Sequence, residues 1–371
     1  MDRSARAMLA LVALLLLALS FVGRPARAQG DDLPVDGALR AAVVDSTIRF
    51  VRESYLDSLA AIRLADSVRQ ARDAKRFDRC VTASALCDSL TATLRRVVPD
   101  GHLRVDYSVR PMPMAADGSP APEELARRAA LLRRENYGFA RVERMPGNVG
   151  YLDLRRFAPP DLAGATATAA MALLAGSDAV ILDLRKNGGG NGEMANLIAS
   201  YFFDADPQQL STLYDRPTHE TMQRWTLAYV PGERLPKVDL YVLVAHKTFS
   251  AAEDLAYTLK HHRDAVIVGE RSRGGAHPVL MKQVNEHFAV FVPRARGVDT
   301  VTGTDWEGTG IAPDVETAPE RALDVAYLAA LEKIRARTPD PGDDLTGAIE
   351  DAKRAVGATS APGASTNPPA R

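Results

Sequence analysis

Residues 247–254 read KTFSAAED, with Ser250 between an apolar run, VDLYVLVA, and the helix-forming stretch AAEDLAYTLKHH. Serine is a favoured N-cap residue, and Glu253 three positions on completes a capping-box pattern. The same position suits a nucleophile. A serine at a helix start meets the positive end of the helix dipole, and the N–H of Ala251 can donate to an oxyanion. A nucleophilic serine also needs a base, and none is local. Glu253 stands where an SxxK arrangement would need lysine, and GxSxG is absent.

Histidine is the usual base near neutral pH. The chain has seven, at 102, 219, 246, 261, 262, 277 and 287. His261 and His262 end a helical stretch and read as a solvated cation at its C-terminus. His102, in PDGHLRV, falls at a turn between helical sequence and a strand, where a side chain can project into a cleft between domains. His277, in GGAHP, is the second candidate. No HExxH occurs and no His/Cys/Asp cluster has metal spacing, so neither metal nor cofactor is expected.

A third stretch is DLRKNGGGNGE, residues 183–193. It fails as a dinucleotide fingerprint, because Glu193 stands where GxGxxG requires glycine. Consecutive glycines ahead of a helix still let backbone N–H groups face a cleft as an anion or oxyanion site. Gly188–Gly190 could supply one such donor, with Gly189 and Gly190 the candidates. Asp183 and Arg185 read as supports for the strand end and the turn.

The elements that must position these groups change in texture along the chain. Residues 36 to about 98 carry apolar positions at helical spacing and fit two or three helices, closed by Pro99-Asp100-Gly101. PMPMAADGSPAP (111–122) is a loop and EELARRAALLRREN a helix. Two strands follow, YGFARVERM and GNVGYLDLRRF, then helix, buried strand DAVILDLR, glycine turn and helix. The polar segment 208–236, with Trp225 and Tyr229, reads as a hairpin shaping a cleft. VDLYVLVA, SAAEDLAYTLKHH and DAVIVGE repeat the strand–helix alternation, which argues for an α/β core. The expected division is an N-terminal helical domain over 29–105, a loop and connecting helix over 106–136, an α/β core over 137–338 and a disordered Pro/Ala-rich tail over 339–371.

The ends and the composition bound the class. Arg3 and Arg6 precede the apolar run MLALVALLLLALSFVG, and Ala26-Arg27-Ala28 closes it as a small-x-small cleavage site, the pattern of a secretory signal peptide over 1–28. Its removal takes away four Arg and one Asp and moves the formal charge from −1 to about −4. No later stretch could span a bilayer. The near-neutral balance, without a basic stripe, argues against nucleic acid. Cys80 and Cys87, exported, would form a short-loop disulfide, which requires a break in the helix near Thr82 and Ser84.

Six blocks in order, DGHLRV, GNVGYLDLRRF, DAVILDLRKNGGG, YVLVAHKTFSAAED, AVIVGERSRGGAHP and WEGTGIAPDVE, resemble the tail-specific or C-terminal-processing family of serine peptidases. The resemblance is to the branch with tricorn-like peptidases and interphotoreceptor retinoid-binding protein repeats. It implies an α/β fold with a crotonase/ClpP-like αββ spiral core, and Ser250 as nucleophile acting on a polypeptide. The processing branch uses a lysine base where Gly275 stands here, so a Ser/Lys dyad is unavailable. The tricorn-like branch implies His102 as base and Glu307 as the group that orients it, with Ala251 and the glycine turn as oxyanion donors. Gly275, His277 and Trp225 would border the substrate. No room remains for a PDZ module. By likeness to bacterial members the protein would be periplasmic or extracellular. The alternative is a family member that binds an apolar ligand without hydrolysis. Oligomeric state is not encoded in any of these blocks.

Overall fold

The computed structural model describes residues 32–115 and 119–358; the expected signal peptide lies outside them. Three helices open the fold: α1 (Gly37–Ser54), α2 (Ser58–Asp73) and α3 (Ala83–Val97). Asp36, Asp57 and Thr82 cap them, each side chain accepting a first-turn N–H. Strand β1 (Arg104–Tyr107) and helix α4 (Pro122–Arg134) lead into the core.

The core then runs β2 (Phe139–Met145), β3 (Val149–Leu154), α5 (Pro160–Leu174), β4 (Ala179–Asp183) and α6 (Gly192–Ser200). Next come β5 (Gln209–Asp215), β6 (Glu220–Trp225), β7 (Asp239–Val244), α7 (Ala251–Arg263) and β8 (Val266–Gly269). The chain continues through β9 (Val279–Gln283), β10 (Phe288–Pro293), β11 (Ala295–Asp299), β12 (Val315–Glu316), α8 (Ala322–Arg337) and α9 (Asp343–Ala358).

Six strands form the central sheet in the order β12-β8-β7-β4-β3-β2, antiparallel only between β2 and β3. Both faces are covered, as a parallel sheet requires. Along β4, Val180 and Leu182 pack under α5, α6 and α7, while Ala179 and Ile181 pack under α8 and α9. Parallel β4 and β7 are neighbours, so their carboxyl ends deliver the glycine turn and the Ser250 turn side by side. The α/β core with a helical domain is therefore as the sequence implied.

Five features differ from the sequence reading or extend it. The N-terminal helices do not close their core alone. Phe288, Val290 and Val292 of β10 pack among Leu64, Leu86 and Leu90, and β1-β10-β9 forms a separate sheet beneath the helices. Residues 343–358 are helix rather than disordered tail: Leu345, Ala348, Ile349 and Ala352 bury against Leu331 and Ile334. The apolar positions at helical spacing outweigh the Pro/Gly content around them. The polar segment does form the β5–β6 hairpin, which joins β11 in a third sheet.

Cys80 and Cys87 are both buried as free thiols, so the short-loop disulfide is not formed in this structure. Thr82 breaks the chain as the cap of α3, but the helix it starts turns Cys87 into the apolar core beside Leu86 and Leu90. His262 is no solvated cation either. Its Nε2 lies 2.8 Å from Asp299 Oδ2, both side chains buried.

Candidate active site

Ser250 has φ 58° and ψ −126°, a left-handed conformation that side chains with a Cβ rarely adopt. Such a residue costs about 1–3 kcal/mol and persists only where its surroundings fix it. Here the turn between β7 and α7 does so. Thr248 Oγ1 donates to Leu184 O at 2.8 Å and accepts the Ala245 N–H at 3.0 Å. Phe249 N–H donates to Asn187 O at 3.2 Å, which joins this turn to the glycine turn after β4.

Glu253 closes the arrangement. It is fully buried, and its Oε2 accepts the N–H of Ser250 at 2.9 Å and of Gly275 at 2.8 Å. Its Oε1 accepts the N–H of Gly274 at 2.6 Å and the hydroxyl of Ser272 at 2.6 Å. Burial nonetheless holds its carboxyl above the usual range. The capping-box pattern was visible in sequence; the second half of the job, gripping residues 272–275, was not.

The glycine turn is built for close approach. A Cβ on Gly189, whose φ is 102°, would stand 2.8 Å from Ser250 Cβ and 3.1 Å from the Ala251 nitrogen. The turn thus lies against the serine, but Gly189 is not a free donor: its N–H goes to Asn187 Oδ1 at 2.8 Å. Gly190 pairs with Phe157 through the flanking Gly189 carbonyl and Asn191 N–H, leaving its own N–H out of that bridge. Neither the Gly190 nor the Ala251 N–H bonds to another described residue. Those two groups are the donors the turn leaves for an anion. Asp183 and Arg185 do brace the strand end: Arg185 Nε donates to Asp183 Oδ1 at 2.9 Å, and the Tyr151 hydroxyl to Asp183 Oδ2 at 2.8 Å.

The histidines are arranged otherwise than expected. His102 is buried, its Nδ1 has no partner among the described residues, and its ring stacks on Phe249 with centroids 4.4 Å apart. Burial pushes its pKa down to about 3, against the pull of Asp100. Glu307 does not reach it as an orienting group. Its Oε2 accepts the N–H of Ala276 at 2.6 Å and of His277 at 3.3 Å, and lies 3.4 Å from His277 Nδ1. Asp100 Oδ2 lies 2.8 Å from the same nitrogen. A carboxylate only accepts, so Nδ1 of His277 carries the proton.

The charge balance in this cluster follows from burial. The hydrogen bond from His277 draws the Asp100 carboxyl below its usual range, although burial opposes it. Burial also works against charge on His277, yet Asp100 and Glu307 together raise its pKa. Glu307 is pushed up to about 7, first by burial and then by the Asp100 charge. Asp100, His277 and Glu307 present ligand atoms within 4.8 Å of one another, with the His277 ring between the two carboxylates.

Gly275 and Trp225 resolve differently. A Cβ on Gly275 would meet Phe249 Cε2 at 2.1 Å and His102 Cε1 at 2.9 Å, so Phe249 occupies the place of any longer side chain. Trp225 is 44 % exposed at the end of β6, its indole N–H donating to Gln223 Oε1 at 3.2 Å. Its strand is tied to α7 one turn beyond the serine, through Arg224 and Asp254.

The model of peptidase family S41 matches residues 148–317, the segment that holds the glycine turn, Ser250, Glu253, His277 and Glu307. Over that segment the chain is similar to that family. The C-terminal processing peptidase of Tetradesmus obliquus, a chloroplastic protein, is 28% identical over 180 residues, 46% of this chain and 36% of that one. Carboxyl-terminal-processing peptidase 1 of Arabidopsis thaliana, also chloroplastic, is 28% identical over 188 residues, 50% of this chain and 36% of that one. The match thus spans about a third of each relative. Among solved structures, a lipoprotein from Streptococcus agalactiae superposes with TM-score 0.53 at 13% identity, covering 85% of this chain and all of the other, a likeness of fold. Within the matched segment the residues 272–277 stand out, gripped by Glu253 on one side and Glu307 on the other. No helix among the described residues is long and apolar enough to cross a membrane.

Proposed function

We propose that this protein is an exported serine peptidase that cleaves polypeptides through an acyl-enzyme, with Ser250 as nucleophile and His102 as base. The observation that carries the reading is the backbone of Ser250: a left-handed serine at a strand-to-helix turn, against a glycine turn, held by a buried carboxylate. That arrangement suits a nucleophile, a half-buried hydroxyl beside N–H donors that no described residue takes. Ala251 and Gly190 N–H would hold the oxyanion. His102 is neutral at pH 7, as a general base must be, and takes the serine proton once Phe249 moves off its ring. Glu307 acts at one remove, through the segment that carries His277. Export rests on the sequence of residues 1–28.

A second reading has one observation in its favour. An imidazole buried under Phe249 with a pKa of about 3 is a weak base, which suits a protein that binds an apolar ligand without hydrolysing it. Fluorophosphonate labelling separates the two. Serine-peptidase chemistry requires labelling of the native protein, loss in Ser250→Ala, and strong loss in His102→Ala. An unlabelled native protein that hydrolyses no peptide and binds lipid sinks the peptidase reading.

A further inference from the structure

Asp100 spends its two oxygens on two different parts of the fold. Oδ1 accepts the backbone N–H of His102 at 2.8 Å; Oδ2 faces Nδ1 of His277 at 2.8 Å. The carboxylate is 2% exposed and the imidazole side chain 11%. Asp100 and His102 sit in the turn between α3 and β1, on the helical side of the molecule, whereas His277 follows the segment gripped by Glu253 and precedes β9. The segment itself is fixed to the nucleophile, since one oxygen of Glu253 binds both Ser250 and Gly275. A path therefore runs from the serine backbone to the His102 backbone, through the Glu253 hydrogen bonds, the covalent backbone of residues 275–277 and the two Asp100 hydrogen bonds, and His277 is its side-chain link contributed by neither end.

We propose that His277 is a positioning residue that sets where His102 stands relative to Ser250, by holding Asp100 and through it the His102 backbone. The proposal rests on the reading of His102 as base. Glu307 is the second half of the device. It accepts the His277 and Ala276 backbone N–H groups and flanks Nδ1, so the ring is pinned between two carboxylates from different elements. Charges and titratable groups around the ring are Asp100 and His102 from the turn before β1, Glu307 and Asp305 from the loop before β12, and Tyr55 at the end of α1 beside both carboxylates. Direct contact between His277 and substrate plays no part. The ring acts through Asp100.

The geometry makes a separable demand on replacements. Asparagine at 277 puts its side-chain amide where Nδ1 stood and keeps a donor for Asp100; alanine and glutamine do not. His277→Ala should lower kcat by roughly 10²-fold, the order expected when a reacting group is displaced by about 1 Å, with KM nearly unchanged. Asp100→Asn should cost a similar factor, and the double variant should cost no more than either alone, since both break one link. His277→Asn should recover most of the lost rate and His277→Gln should not. A second readout is independent of activity: amide hydrogen exchange at His102 should speed up in His277→Ala and return towards the native rate in His277→Asn. Unchanged exchange at His102 in a folded His277→Ala protein overturns the proposal, and so does additivity of the two single losses. If the native protein shows no Ser250-dependent hydrolysis, the peptidase reading fails, and exchange at His102 still decides whether His277 holds that backbone.

Discussion

Phe249 stacks on His102 with ring centroids 4.4 Å apart, and the same ring fills the space above Gly275. The residue just before the serine thus fills the space that a side chain at position 275 would take. Gly275 is small here because Phe249 is large.

That relationship gives the first prediction. Gly275→Ala forces a Cβ to within 2.1 Å of the Phe249 ring and should destabilise by about 1–3 kcal/mol, the usual cost of overpacking. Phe249→Ala alone leaves a cavity, but in its background Gly275→Ala should cost little. Denaturant unfolding of the two singles and the double would show this coupling; additive losses would contradict it.

Glu253 should matter beyond its role as a cap. Glutamine is nearly the same shape, but its NH₂ end would face two donors that now point at an oxygen. Each buried donor left unsatisfied costs about 1–3 kcal/mol, so Glu253→Gln should lower the melting temperature clearly. It should also abolish labelling of Ser250, because the strained serine loses the group that fixes its N–H. A variant with normal stability and normal labelling would contradict the grip described for residues 272–275.

The pH dependence of stability has a sign set by His102. Its folded pKa, about 3, lies below the unfolded value of 6.5. A depressed pKa contributes stability that is present above the unfolded value and lost as pH falls through the folded one. Native protein should therefore lose melting temperature between pH 6.5 and 3 more steeply than His102→Gln. Parallel curves for the two proteins would show that His102 is not buried in its neutral form.

Helix α9 should be an integral part of the core. Leu345→Ala removes a side chain packed on Leu331 and Gly147, and buried Leu→Ala changes cost about 2–5 kcal/mol. Ending the chain after residue 341 should expose the α8 face and cause aggregation, which light scattering would detect. A truncated protein with unchanged melting and scattering would return α9 to the status of a tail.

Much of this was legible in sequence for specific reasons. Alternation of DAVILDLR and VDLYVLVA with helical stretches gives the parallel sheet, because buried strands carry continuous apolar runs. The serine and the glycine turn were recognisable from glycine spacing and helix-start chemistry. The pairing of Glu307 with His277 rather than His102 was not, since it depends on which of two histidines near Asp100 the loop at 272–277 brings to the carboxylate. Gly189 was named as a donor from backbone freedom, but whether its N–H is free depends on the Asn187 side chain two residues earlier. A signal was present there: asparagine ahead of glycines commonly bonds its own backbone two residues on. Helix α9 was hidden by composition, as Pro and Gly before it and the Pro/Ala-rich stretch after it masked one apolar stripe.

The helical domain borrows β10 from late in the chain. Leu64, Leu86 and Leu90 find part of their apolar cover in Phe288, Val290 and Val292. During synthesis, then, the first three helices emerge long before the strand they need, and must wait with an open apolar face while the α/β core is made. Helices that could form early are held to the timetable of the slowest, most non-local contact. The wait has a useful side. The turn bearing His102 is seated only when residues 279–293 close beneath it, so the proposed site cannot be complete before that late segment has been made.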